Sequence, residues 1–299
     1  MKVGIIINPA AGPVWRRMTA AQVETYTRAV IAHHAADVWV AYSHGPGHAH
    51  DLAHDAVAGG AQVVVAWGGD GTVNEVASAI LYGRAVLGIV PVGSGNGLAR
   101  ELGIPANPDD ALHVALGGEE RSLDVGEVNG RVFFNVAGVG FDAHVAERFA
   151  MGPVRVRGLV SYAVTGFVEA LRYRPHQFRC RGDGVDLAEG PAMLISIANS
   201  SQWGNGARIA PMARLDDDRL DVVFVRARHP IAVGANLWRL FWGDISDARG
   251  VVHALVQEAT IHADPPAPLH VDGEPMGRHA FFTIGVRCRA LRVRVPAPR

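Results

Sequence analysis

The chain has 299 residues, 49% hydrophobic and 19% charged, and 28 Lys+Arg against 29 Asp+Glu leave a formal charge of −1. At roughly 100–200 residues per domain that length predicts two domains, and the apolar content excludes a disordered chain. Near-neutrality lacks the basic excess that phosphate neutralisation demands, which excludes a general nucleic-acid binder. No apolar run approaches the ~20 residues of a membrane span. The run Val3–Ile7, stopped by Asn8-Pro9, is too short for the core of a signal peptide. Cys180 and Cys288 are too few for a disulfide framework and lack metal-ligand spacing, so a reducing cytoplasm is the expected compartment.

The first 125 or so residues alternate strand and helix patterns. Val3–Ile7 reads as a strand ended by Asn8-Pro9-Ala10-Ala11-Gly12, Thr19–Ala36 as a helix, Asp37–Tyr42 as a second strand and Ala49–Ala58 as a second helix. Gln62–Ala66 is a third strand, followed by Gly68-Gly69-Asp70-Gly71 and a helix to about Leu81. Val86–Pro91 is a fourth, followed by Gly93-Ser94-Gly95-Asn96-Gly97 and another helix. Short strands separated by helices predict an α/β fold with a parallel sheet. The second half is β-rich. Strands are expected at Arg131–Val136, His176–Arg181, Ala192–Ala198, Asp221–Arg226, Ala259–Ala263 and Phe281–Val286, with helices at Leu159–Tyr173 and Ile231–Trp242. Asp264–Pro268 reads as a turn, and Leu291–Val295 alternates as a half-buried strand. The expected domains are 1–125 and a sandwich-like domain over 126–286.

Three Gly-rich loops, Asn8–Gly12, Gly68–Thr72 and Gly93–Gly97, each follow a predicted parallel strand. Ligands of open α/β sheets bind at that edge. Glycine lets backbone N–H groups approach phosphate oxygens, and the following helices add their positive dipole ends. Any one loop is an ordinary turn; three in register suggest a phosphate cradle. Asp70 among those amides would repel phosphates unless a cation intervened, and Mg²⁺ binds through one or two carboxylates plus substrate phosphates. Asp70 also suits a helix N-cap, and both roles are compatible, but a pure cap does not explain the surrounding glycines.

The segment Gly68-Gly69-Asp70-Gly71-Thr72-Val73-Asn74-Glu75-Val76 resembles the GGDGTxNEV signature of the diacylglycerol kinase catalytic family, which includes sphingosine, ceramide and bacterial lipid kinases. Asn8–Gly12 resembles its NPxSG loop, Pro91–Arg100 its PxGTxNDxAR segment, and Phe134–Ala143 the block opening its second domain. Pro211–Val222 resembles its PxAxLDDGxLDV segment and Val271–Glu274 its VDGE. GGDGT alone is shared with NAD kinases; the blocks together are specific, and they span nearly the whole chain.

The resemblance implies a nucleotide-binding α/β domain completed by the last strand at about 287–299, a β-rich lipid-binding domain and an ATP- and Mg²⁺-dependent transfer to a lipid hydroxyl. Diacylglycerol is the first candidate acceptor and a sphingoid-type lipid the second; NAD kinase and a non-catalytic lipid-binding relative are the rivals. By position, Asn8, Pro9, Ala10, Ala11, Gly12, Ser43, Gly68, Gly69, Asp70, Gly71, Thr72, Glu75, Ser94 and Asn96 would line the ATP site. Glu274 would act as general base, with Asp272 two residues before it and Asp70 completing the catalytic set. A second Mg²⁺ site would use Asp217 and the carbonyls of Arg214 and Arg219. The departures are Ala11 for a common Ser, Gly97 where bacterial diacylglycerol kinases have Asp, and Asp218 where Gly is common. Asp tolerates positive φ better than most residues if that position requires it.

A cytoplasmic protein that visits the membrane surface is therefore expected. Among other features, His44, His48, His50 and His54 read as surface histidines rather than a zinc site. Arg155, Arg157, Arg172, Arg174, Arg179 and Arg181 suit either a solvated face or an anionic lipid. Leu237–Trp242 suits core packing more than a bilayer contact.

Overall fold

Alternating strands and helices in the first half build a parallel sheet, and the later strands build a β-rich unit, as the sequence pattern leads one to expect. A computed structural model describes residues 1–12, 20–32, 37–151, 169, 172–204, 207–227, 245 and 248–297. The chain divides into two compact units, Met1–Leu123 with Arg289–Arg299, and Asp124–Cys288.

In the first unit the strands are β1 (Lys2–Ile7), β2 (Asp37–Tyr42), β3 (Val63–Gly68) and β4 (Val86–Pro91). They pair in the order β2-β1-β3-β4, all parallel. The connecting helices are α1 (Ala20–Ile31), α2 (His48–Ala58) and α3 (Asp70–Ala79). Every residue of β3 and β4 is buried, as expected for parallel strands covered on both faces. The chain reverses its lateral progress between β1 and β3, a topological switch point at which α/β sheets bind ligands. After β4 come α4 (Gly97–Glu101) and α5 (Pro108–Gly117). The sequence reading did not single out α5, although its start is explicit. Asn107 accepts hydrogen bonds from the Asp109 and Asp110 N–H groups and Pro108 occupies the first turn.

Strand β5 (Glu119–Val128) leads out of the first unit, followed by β6 (Arg131–Phe133), β7 (Val136–Gly140) and α6 (Phe141–Met151). The expected strand Arg131–Val136 is thus broken at 134–135, and α6 was not anticipated. Next are β8 (His176–Gly182), β9 (Val185–Ala198), the two-stranded β10 (Gln202–Gly204) and β11 (Ala207–Arg208), β12 (Leu220–Arg226) and β13 (Val251–Val256). The last two are β14 (Glu258–Val271) and β15 (Glu274–Val295). Strands β9 and β14, 14 residues each, are bonded to β7 at one end and to β8 at the other. The ring β7-β9-β8-β14 therefore closes on itself. It encloses Val139, Phe178, Cys180, Ile195, Ile197, Ile261 and Leu269, all at most 2% exposed.

Asp264–Pro268 corrects the sequence reading: it lies inside β14 rather than in a turn. Proline lacks the N–H that a ladder needs and is tolerated at bulges. The pairing with β15 accordingly jumps from His262–Phe281 to Ala267–His279. The alternation over Leu291–Val295 appears as buried Leu291, Val293 and Val295 at the end of β15, and Val293 pairs in parallel with Leu87 of β4. The helix expected over Leu159–Tyr173 lies outside the described residues except at positions 169, 172 and 173. The helix Ile231–Trp242, the Leu237–Trp242 segment, Arg155 and Arg157 lie outside them entirely. No helix among the described residues is long and apolar enough to cross a membrane.

Candidate functional site

The three Gly-rich loops of the first unit follow β1, β3 and β4, and side chains from the motifs tie them together. The Asn8 amide donates to Thr72 Oγ1 at 3.0 Å, and Asn8 Oδ1 accepts from the Ala10 N–H at 3.0 Å. The first loop is thereby locked to the third strand's loop, with Thr72 buried. Asp70 opens α3 but does not cap it. Its carboxylate accepts the Asn96 N–H at 2.8 Å and the Gly97 N–H at 2.6 Å, and so caps α4. Neither sequence alternative for Asp70 described this: it serves another helix across 26 residues. Asn96, in the left-handed region at φ 54°, closes its own loop through Gly93 N–H and C=O. Gly93 and Gly69 touch through their backbones: a Cβ on Gly93 would lie 2.6 Å from Gly69 Cα. Ser94 is exposed at the tip.

Glu75 sits one turn further along α3. Its two carboxylate oxygens accept the Gly47 and Ala49 N–H groups at 2.8 and 3.0 Å. Gly47 has no side chain with which to cap α2, so Glu75 satisfies those amides and places a negative charge at the positive helix end. Ser43 is buried, and its N–H donates to the Ile7 carbonyl at 2.8 Å. Pro9 to Gly12 complete the first loop, with Gly12 at φ 72°.

The second unit holds the Asp272-Gly273-Glu274 segment. Val271 pairs with Glu274, so Asp272 (φ 46°) and Gly273 (φ 86°) are the two central residues of a tight hairpin. Both in the left-handed region make a type I′ turn, for which Asp-Gly is a preferred pair. The Asp272 carboxylate accepts three backbone N–H groups, from Phe134, Asn135 and Val136, at 2.9, 2.9 and 3.1 Å. It thus joins the break between β6 and β7 to the hairpin tip. Glu274 is exposed at the first position past the turn.

The acidic loop after β11 carries Asp217, whose Oδ1 accepts the Arg219 N–H at 3.2 Å. Burial pushes the Asp217 carboxyl above the ordinary carboxylate range; the Arg219 N–H opposes this, and the charges of Asp221 and Asp124 add to it. The Arg214 side chain pairs with Asp216 at 3.5 Å and that of Arg219 with Asp183 at 3.6 Å. Asp218 takes φ 59°, the conformation that the common Gly would favour. The sequence reading passed over Asp124, buried at 1% exposure, which accepts the Asp218 N–H at 2.7 Å. Asp124, Asp218 and Cys288 bring ligand-type atoms within 4.8 Å of one another. It also passed over the buried pair Asp142 and His270, 3.2 Å apart, because their positions are 128 residues apart. His44 and His48 stack, with ring centroids 5.3 Å apart.

Two family models match the chain. The diacylglycerol kinase catalytic domain matches residues 2–128, and the YegS C-terminal NAD kinase beta sandwich-like domain matches residues 135–295. A Pseudomonas aeruginosa protein named "Probable lipid kinase YegS-like" is 35% identical over 254 residues, 84% of this chain and 82% of that one. A protein of the same name from Chromohalobacter salexigens is 34% identical over 235 residues, 77% and 75% of the two chains. The crystal structure of a diacylglycerol kinase from Bacillus anthracis str. Sterne superposes with a TM-score of 0.74 at 20% identity, over 98% of this chain and 96% of that one. An NAD kinase from Archaeoglobus fulgidus in complex with ATP gives 0.53 at 13% identity, over 98% and 93%. At these identities the two structures speak for the fold alone.

Proposed function

We propose, for a chain that belongs to the YegS-like lipid kinases of the diacylglycerol kinase catalytic family and is a kinase, that it transfers the γ-phosphoryl group of ATP to the free hydroxyl of diacylglycerol at a membrane surface. The observation that carries the ATP half of the reading is the locking of the loops after β1, β3 and β4 at a topological switch point. Asn8, Thr72, Asp70 and Asn96 fix the backbone of those loops before any ligand arrives. Preorganised amides stabilise phosphoryl charge without reorganisation during the reaction.

The donor chemistry fits a magnesium ion. Each Asp70 oxygen uses one lone pair on a backbone N–H and keeps another, and Asp217 has carboxylate neighbours whose charge a cation would relieve. Asp70 would hold the ion that accompanies ATP, and Asp217 with the Arg214 and Arg219 carbonyls a second one. When bound, Mg²⁺ neutralises phosphate charge. Asn8 to Gly12, Ser43, Gly68 to Thr72, Ser94 and Asn96 line the nucleotide side, and Glu75 supports it by holding the start of α2.

Glu274 takes the proton of the lipid hydroxyl as its oxygen bonds to the γ-phosphorus, and the bond to the β-phosphate oxygen breaks to release ADP. A positioned general base contributes about 10²–10⁴-fold. Asp272, with its oxygens committed to three amides, is a positioning residue for the turn that carries Glu274.

The test is transfer of γ-labelled phosphate from Mg²⁺-ATP to vesicles carrying diacylglycerol, monoacylglycerol, sphingosine or ceramide, with NAD as a soluble control. Labelled phosphatidate, reduced at least about 10²-fold by Glu274→Gln, is the expected result. A labelled sphingoid lipid or labelled NADP would replace the acceptor. Labelling that survives Glu274→Gln unchanged would remove the base.

A further inference from the structure

We infer that His270, oriented by Asp142, is a positioning residue that fixes the Gly273 amide and with it the presentation of Glu274. The inference rests on Glu274 being the base of the reaction proposed above. His270 is the penultimate residue of β14, just before the hairpin, and both His270 and Asp142 are at most 8% exposed. His270 Nδ1 accepts the Gly273 N–H at 3.2 Å, and Nε2 lies 3.2 Å from Asp142 Oδ2.

These two contacts determine where the ring carries its proton. An amide N–H only donates, so Nδ1 must be bare, and the proton sits on Nε2, donated to Asp142. Asp142 is fixed in turn, because its Oδ1 accepts the Ala143 N–H at 2.9 Å in the first turn of α6. The pair has space built for it. His270 lies opposite Gly138 in the β14–β7 register, and any Cβ on Gly138 would overlap Asp142 Oδ2 and His270 Nε2.

In a two-residue hairpin the second central N–H makes no bond within the turn and would otherwise be left to water. Here the ring takes it. The two central residues are therefore held from two sides: Asp272 by the Phe134–Val136 amides and Gly273 by His270. Glu274 follows directly, so a shift of the Gly273 peptide moves its carboxylate. A misplacement of about 1 Å at a reacting group costs on the order of 10²-fold in rate.

Asp142→Asn separates this role from simple packing. The Ala143 N–H still requires an oxygen acceptor, so the substituted side chain keeps its amide oxygen there and turns its NH₂ toward His270 Nε2. The imidazole proton then has to move to Nδ1, against the Gly273 N–H. In His270→Asn the side-chain oxygen occupies the Nδ1 region and accepts from Gly273 without help from position 142.

The experiment uses the full chain. Nitrogen-15 NMR of labelled histidine is expected to show His270 with bare Nδ1 and protonated Nε2, and the reverse in Asp142→Asn. In the lipid kinase assay Asp142→Asn should lower kcat about 10–10²-fold with KM for ATP within about twofold, while unfolding stays cooperative. Adding Asp142→Asn to His270→Asn should cost less than about threefold more, the non-additivity of residues acting in one chain. A proton on Nδ1 in the wild type overturns the inference, as does an equal Asp142→Asn loss in both backgrounds. An inactive wild type overturns the functional reading and this inference together; an active wild type lacking these signatures overturns this inference alone.

Discussion

Gly93→Ala tests whether the Gly-rich loops after β3 and β4 are as tightly interlocked as their geometry requires. Gly93 does not take a left-handed conformation, so alanine adds no backbone strain and the perturbation is steric. The new Cβ would lie 2.6 Å from Gly69 Cα and 2.8 Å from Asn96 Oδ1. Carbon atoms rest at about 3.5–4.0 Å, so the two loops must separate by roughly 1 Å. Neither obstacle is a flexible side-chain end: one is backbone, and the other is held by the Gly93 N–H and C=O. Overpacking of this kind costs about 1–3 kcal/mol. With the phosphates of ATP held by these loops as proposed, a displacement of about 1 Å should cost on the order of 10²-fold in kcat/KM for ATP. Urea unfolding gives the first quantity, and initial rates over an ATP titration the second. An unchanged urea midpoint together with unchanged kcat/KM would refute the close approach of Gly69 and Gly93 and the cradle built on it.

Asp272→Asn keeps the left-handed backbone but leaves one acceptor oxygen for three amides; the midpoint in urea should fall by the equivalent of about 2–3 kcal/mol, with activity lost in parallel. Millimolar Mg²⁺ should raise the melting temperature of the wild type, and Asp217→Asn should abolish that rise without lowering the metal-free value. Burial pushes the Cys180 thiol up to about 12, above the ~8.5 of an unfolded chain. Its contribution to stability is therefore complete below about pH 8.5 and lost as the pH rises from there toward 12, at up to about 1.4 kcal/mol per unit. Cys180→Ala should lower stability at pH 7 and flatten that alkaline slope, read by urea unfolding between about pH 7 and 10.

Much of the first unit was legible because parallel strands buried on both faces write themselves as near-continuous apolar runs, as in Val63–Ala66 and Val86–Val90. The closed ring of the second unit was not. Strands β9 and β14 each change partner midway, and the bulge at Asp264–Pro268 carries turn chemistry within a strand. Local sequence reports local backbone preference, whereas partner exchange is decided by residues far apart. The same limit explains the candidate site. Motif residues could be named, yet their bonds run across 26 residues for Asp70 to Asn96, 28 for Gly47 to Glu75 and 138 for Phe134 to Asp272. Asp218 is the exception, since its need for positive φ could be argued from the glycine common at that position.

Those long-range bonds share one device, which Asp124 also uses: a carboxylate accepts backbone N–H groups from a distant loop, at Asp70, Glu75, Asp124 and Asp272. Loss of activity on replacing such a residue is therefore ambiguous between chemistry and architecture. Asp70→Asn resolves the ambiguity for the most informative of them. Asparagine offers one acceptor where Asn96 and Gly97 need two, so one amide at the start of α4 loses its partner and stability falls by about 1–2 kcal/mol. If Asp70 serves only as that cap, the rate at saturating Mg²⁺ and ATP should recover under conditions that restore the fold, such as a stabilising osmolyte. If it also holds the metal that accompanies ATP, the deficit should persist in a fully folded variant and the Mg²⁺ concentration for half-maximal rate should rise. The second outcome is the expected one, because each Asp70 oxygen keeps a lone pair beyond the amide that it caps. A folded Asp70→Asn variant with wild-type Mg²⁺ dependence would confine Asp70 to architecture and leave the metal to other oxygens of the cradle.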